Sequence, residues 1–180
     1  MCKPRLGFVG TGFMGQCAHL QNYAQLDTCN VVAIAEARPE LGSLVAVRYG
    51  VERVYTSHTD MLEAEDLDGI VAAQPFWVHG VLLPDLFTKG IPVFTEKPLS
   101  CSVEAGERLL GELHQSDARH YLGYHKRSDP ASLAARQEIE RLKESGELGR
   151  LRYIRILMPA GDFIAGGDNP LISTDEEAPD

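Results

Sequence analysis

From Arg5 onward, short apolar, β-branched runs alternate with longer stretches in which apolar residues recur at helical spacing. That alternation predicts βαβ units and a parallel sheet. Six runs before residue 125 read as strands: Arg5 to Val9, Val31 to Ala35, a weaker Arg53 to Tyr55, Gly69 to Ala73, Ile91 to Thr95, and Arg119 to Gly123. The stretches between them carry helix punctuation, because Pro39 opens one helix and Gly50 follows its end, Gly90 follows another, and Ser102 caps a third. Right-handed crossovers should then lay helices on the sheet faces, an α/β fold with a doubly wound parallel sheet.

The pattern changes after Tyr124. Ser128-Asp129-Pro130 reads as an N-cap followed by proline at the first helical position, starting a long helix through Ser145 with Gly146 as its stop. Arg150 to Met158 alternates basic and apolar residues imperfectly, as a half-exposed strand does, and is expected to belong to a second sheet. From Pro159 to Asp180 there is no periodicity, and the stretch reads as loop. The chain is thus divided into a domain over 1–124 and, over 125–180, a linker helix with the first strand of an incomplete second domain.

Composition adds limits to this picture. The 180 residues are 44% apolar and 24% charged, enough for one full core plus an appendage and unlike a disordered or collagenous chain. A net charge of −9 argues against a nucleic-acid partner. Apolar runs fall far short of the roughly 20 residues needed to span a bilayer, so no membrane partner is expected. Cysteines at 2, 17, 29 and 101 have no framework or metal-ligand spacing. They read as thiols of a cytoplasmic protein with no metal site.

Candidate chemistry gathers at the carboxyl ends of the strands. Gly10-Thr11-Gly12-Phe13-Met14-Gly15 follows the first strand directly and opens a helix, the context in which G-x-G-x-x-G reads as a dinucleotide loop. Gly10 permits the turn, Gly12 lets a pyrophosphate approach the backbone, and Gly15 allows close helix packing, with the helix N-terminus facing the phosphate charge. Glu36 ends the second strand, where an acid bonds the adenosine ribose and repels a 2′-phosphate, so NAD is favoured over NADP. Arg38 nearby keeps NADP possible, since it can accept that phosphate or stack on adenine, or simply be solvated.

Gln74, Pro75, Phe76, Trp77 and His79 follow the fourth strand, and Glu96-Lys97-Pro98 follows the fifth. All of these ends converge on one edge of a doubly wound sheet. Lys97 there is suited to stabilise an alkoxide as a hydroxyl loses its proton and its carbon gives up a hydride, although an ion pair with Glu96 fits the spacing equally well. Phe76 and Trp77 read first as core and second as walls of a nicotinamide site. His79 reads as a packed or solvated residue or as a ligand contact, and His125, with Lys126 and Arg127, as a basic hinge or a substrate contact.

Together, Gly10 to Gly15, Glu36, Pro75 to His79, Glu96-Lys97-Pro98 and the run Gly123 to Pro130 resemble the Gfo/Idh/MocA oxidoreductase family over residues 5 to 158. The resemblance implies an NAD(P)-dependent dehydrogenase of a sugar, cyclitol or related polyol. It implies a Rossmann domain followed by an α+β domain that supplies much of the substrate site and the contact of a homo-oligomer. Carried over, Gly10, Gly12 and Gly15 would bind the pyrophosphate, Glu36 the ribose and Lys97 the reacting hydroxyl, with a cis bond before Pro98. Members usually exceed 300 residues and take a histidine base from the second domain, whereas every histidine here lies at or before 125.

Two explanations follow for that departure: the amino-terminal part of a longer dehydrogenase, or a short protein that binds a dinucleotide as a sensor or interaction module without turning it over. A structural protein using the fold without any ligand is the third class.

Overall fold

The structure, a computed structural model, describes residues 2–157. Six strands form one parallel sheet in the order β3-β2-β1-β4-β5-β6: β1 (Arg5–Val9), β2 (Asn30–Ala35), β3 (Arg53–Tyr55), β4 (Gly69–Ala72), β5 (Pro92–Thr95) and β6 (Arg119–Leu122). All six lie where the apolar runs predict them, to within a residue at either end. The strand order reverses between β1 and β4, which leaves a crevice beyond their carboxyl ends at that point.

Side-chain alternation divides the strands between two cores. Val9, Ala33, Ala35, Ile70 and Ala72 point to one face and pack with Leu83, Leu86, Phe87 and Leu109. Their neighbours Phe8, Ile34 and Val71 point to the other and pack with Leu20, Leu41 and Val45. The first face is covered by α3 (His58–Ala64), α4 (His79–Phe87) and α5 (Val103–His114). The second is covered by α2 (Pro39–Tyr49) and by a π-helical turn, Gly15–Leu20, that runs on as α1 (Gln21–Tyr23). A central parallel strand with both faces buried has no polar side to show, which is why these runs are continuously apolar.

The helix ends follow their punctuation. Pro39 is the first residue of α2, and Gly50 closes it in the left-handed conformation at φ +69°. The Ser102 hydroxyl accepts a bond from the Ala105 N–H at the start of α5. Gly90, after α4, also takes a positive φ.

The chain parts into two compact units after Gly123. In the second unit a 3-10 turn, His125–Arg127, precedes α6 (Pro130–Ser145). Asp129 caps α6 by accepting from the N–H groups of Ala131 and Ser132, and Gly146 ends it at φ +66°. One expectation fails here. Residues 150–157, read as most of a strand, form none and leave Leu151, Tyr153, Ile156 and Leu157 exposed. An extended segment becomes a strand only when another strand takes its backbone N–H and C=O groups, and none among the described residues does so. Met158 and the loop expected over 159–180 lie outside the described residues.

Candidate functional site: a cleft at the carboxyl edge of the sheet

A cavity of about 870 Å³ opens at the carboxyl edge, in the crevice where the strand order reverses. Its floor is the glycine loop. Gly10 takes φ +81°, and its N–H is bound to the Ala35 carbonyl at 2.9 Å, which turns the chain sharply off β1. A Cβ on Gly15 would lie 2.6 Å from the Gly10 carbonyl oxygen, so glycine is what lets the helix start this close to the strand. Gly12 is different: a Cβ there would meet nothing nearer than the Arg38 guanidinium at 3.9 Å. Its open side belongs to the cleft. The buried Gln16 amide braces the loop from behind, donating to the Thr11 carbonyl at 2.7 Å. Nothing in the glycine motif signals that brace.

Glu36 stands at the end of β2 against this loop, only 4% exposed. Its Oε2 accepts the Thr11 N–H and the Thr11 hydroxyl, both at 2.9 Å, while its Oε1 accepts the Arg38 N–H at 3.2 Å and the Arg38 Nε at 2.7 Å. Burial pushes the Glu36 carboxyl upward, but the bonds from Arg38 and Thr11 outweigh it and hold the group below the usual carboxylate range. Arg38 takes a role that none of its expected alternatives named, an ion-pair partner of Glu36.

The opposite wall comes from β4 and β5. Gln74, Pro75, Phe76 and Trp77 line the cavity, as do Glu96 and Lys97. Phe76 and Trp77, expected first in the core, are not core residues. They are 37% and 47% exposed, and their rings meet edge to face at 5.3 Å. Both amide atoms of Gln74 are buried without a hydrogen-bond partner. A buried unpaired amide is costly unless something in the cleft completes it, so this wall fits a polar ligand.

Lys97 is exposed at the cleft, and its ammonium makes no hydrogen bond or ion pair among the described residues. The expected alternative, a pair with Glu96, is not formed. Glu96 instead accepts from His19 Nε2 at 2.9 Å through Oε1 and from the Lys97 backbone N–H at 3.2 Å through Oε2. The Lys97–Pro98 peptide bond is cis. Thr56 and His58 also line the cavity, with His58 Nε2 2.9 Å from Asp85 Oδ2; neither residue stands out in the sequence.

His79 does not line the cavity. It is fully buried, and its Nδ1–H donates to the Leu99 carbonyl at 3.0 Å, so it braces the loop that carries Lys97 from below. Burial lowers its pKa, against the bonds to the backbone of Leu99 and Pro98. Phe13 and Met14 line the cavity beside Gly12, whereas Thr11 lies beneath it and holds Glu36. His125 is exposed in the second unit. No group of His, Cys, Asp and Glu suited to a metal ion is found among the described residues, and no described helix is long and apolar enough to cross a membrane.

Comparison with known proteins agrees with this geometry. Residues 4–124 match the oxidoreductase family Gfo/Idh/MocA, NAD-binding Rossmann fold. The rhizopine catabolism protein MocA of Rhizobium meliloti is 28% identical over 177 residues, covering 96% of this chain and 54% of its own. Inositol 2-dehydrogenase of Leifsonia xyli subsp. xyli is 33% identical over 154 residues, covering 84% and 43%. The crystal structure of scyllo-inositol dehydrogenase from Lactobacillus casei with NAD(H) and scyllo-inositol superposes with a TM-score of 0.69 at 25% identity, covering 82% of this chain and 43% of that one. The chain spans about half the length of these relatives. With a glycine loop after β1, an acid just after β2 and a lysine just after β5 lining one crevice, it belongs to the Gfo/Idh/MocA family of NAD-binding Rossmann oxidoreductases.

Proposed function

We propose that this chain is the dinucleotide-binding half of an NAD-dependent dehydrogenase whose substrate is a cyclitol, sugar or related polyol. The observation that carries the reading is the meeting of Gly12, Glu36, the unpaired Gln74 amide and the unpaired Lys97 ammonium around one cleft. Gly10, Gly12 and Gly15 would hold the pyrophosphate, and Phe13, Met14 and Pro75, which line the same cleft, would contact the dinucleotide. Gln74, whose buried amide has no partner, would complete its bonds on the dinucleotide. The four donors on Glu36 occupy both of its oxygens, so a ribose hydroxyl is accepted by displacing Arg38, the more exposed partner. NAD, when held there, would supply the hydride acceptor. Lys97 stabilises the oxygen of the reacting hydroxyl as it loses its proton, a cation placed where negative charge develops.

The general base and the substrate pocket, in this reading, belong to a second domain, with His125 a candidate contact near its start. A cytoplasmic homo-oligomer is part of the same proposal.

A titration of the chain with NADH and NADPH tests it, followed by quenching of Trp77, the only tryptophan, which stands half-exposed on the cleft wall. Saturation at micromolar NADH, near −8 kcal/mol, is expected, with weaker NADPH. No binding of either dinucleotide overturns the reading. Steady NADH production from a polyol by these 180 residues alone would contradict the assignment of the base to a second domain.

A further inference from the structure

The proposal for Lys97 raises a chemical difficulty that His19 resolves. A lysine next in sequence to a glutamate has a carboxylate within reach of its own ammonium, and such a pair would neutralise the cation that the reacting oxygen needs. The structure does not contain that pair. Both Glu96 oxygens are engaged elsewhere, Oε1 on His19 Nε2 at 2.9 Å and Oε2 on the Lys97 backbone N–H, so the ammonium acts on the carboxylate only through its charge. A carboxylate only accepts, so the His19 nitrogen in this contact carries the proton.

His19 is built for this contact. It lies on the π-helical turn Gly15–Leu20 that follows the glycine loop, and the wider π turn directs the side chain differently from an α-helix. The residue is nearly buried, and its ring stands edge-on to Phe94 of β5, with centroids 5.3 Å apart. Phe94 is two residues before Glu96, so one strand both props the imidazole and delivers its partner.

We propose that His19 is a positioning residue that draws the Glu96 carboxylate away from the Lys97 ammonium and so keeps that ammonium open to the reacting hydroxyl. This rests on the reading of Lys97 given above. The glycine loop and the reacting lysine are thereby linked through one imidazole, from the first helical turn to the end of β5.

Reductive methylation of the chain with formaldehyde and a borane reductant, quantified at Lys97 by peptide mass spectrometry, tests the role. A carboxylate beside an amine keeps it in the protonated, unreactive form. His19→Ala frees Glu96 to pair with Lys97, and methylation there is expected to slow about three- to fivefold, the range of a partly exposed ion pair. His19→Gln, which keeps a donor, is expected to react like the parent. In His19→Ala/Glu96→Gln there is no carboxylate to restrain, and the rate is expected to recover.

An unchanged rate in His19→Ala, or a double variant as slow as the single one, overturns the proposal. If His19→Ala does not fold, nitrogen-15 histidine spectra of the parent chain decide. Protonated Nε2 at His19, with its shift altered in Glu96→Gln, supports the role, and an Nδ1–H form with bare Nε2 refutes it. Dinucleotide titration of the parent chain reads the cofactor assignment separately, so the two can fail independently.

Discussion

Both donors of Thr11, its backbone N–H and its hydroxyl, converge on a single oxygen of Glu36 at 2.9 Å. The residue between the first two glycines of the loop is thus fastened to the end of β2. Cutting that link by Thr11→Val keeps the side-chain shape but removes one donor to a buried carboxylate. A loss of about 1–2 kcal/mol in stability is expected, read from thermal or urea unfolding. NADH affinity should fall with it, because the loop loses its anchor to Glu36, the residue proposed to bind the ribose.

Cofactor choice should follow the charge on Glu36. In the proposed reading, Glu36→Gln keeps a hydrogen-bonding group at the ribose and removes the negative charge that would repel a 2′-phosphate. The ratio of NADPH to NADH dissociation constants is expected to fall by about tenfold, or ~1.4 kcal/mol, in calorimetric titrations. An unchanged ratio would mean that something other than Glu36 selects the cofactor.

The glycines of the loop should separate into two kinds. Gly15→Ala drives a methyl into the Gly10 carbonyl, with 2.6 Å between Cβ and oxygen, and should destabilise the fold by about 1–3 kcal/mol. Gly12→Ala meets nothing nearer than 3.9 Å, so its melting temperature should barely move while NADH affinity drops at least about tenfold, because the methyl would fill the space that the proposed function gives to the pyrophosphate. Paired melting curves and titrations distinguish the two. Equal effects on stability would refute the distinction.

Acid should weaken the fold in two stages. Burial, with the nearby His79, pushes the His120 imidazole down to about 4 from its ordinary 6.5, and burial also lowers His79. The unfolded chain therefore binds protons that the folded chain refuses. That stability is fully present above pH 6.5, declines as the pH falls, and is lost near pH 4. The decline is expected to reach about 1–3 kcal/mol. Glu36 and Glu96 have lowered carboxyl pKa values, so their share is lost in turn as the pH falls below 4.5. His120→Asn should flatten the upper stage of a melting-temperature profile and leave the lower one.

Much of this molecule is local in origin and therefore legible along the chain. The strands are runs such as Arg5 to Val9 and Gly69 to Ala72, whose apolar character is required by burial on both faces. Helix ends are governed by their own residues, as at Pro39, Gly50, Ser102 and Asp129. The dinucleotide loop is legible for the same reason: a turn, a close approach and a helix start must be satisfied within six residues.

What the chain pattern does not carry is contact between distant residues. His19 and Glu96 are separated by 77 positions, and Thr11 and Glu36 by 25, yet each pair forms because β1 lies between β2 and β4, and β5 beside β4. Two misreadings have the same root. Phe76 and Trp77 look like core, since an aromatic residue carries no mark of which side of a loop it will face, and they line the cleft instead. Residues 150–157 look like a strand, but an extended segment takes that form only with a partner's backbone beside it. Periodicity and turn chemistry act within a few residues and are written in order along the chain; a hydrogen bond across the sheet exists only once the strands have been placed side by side.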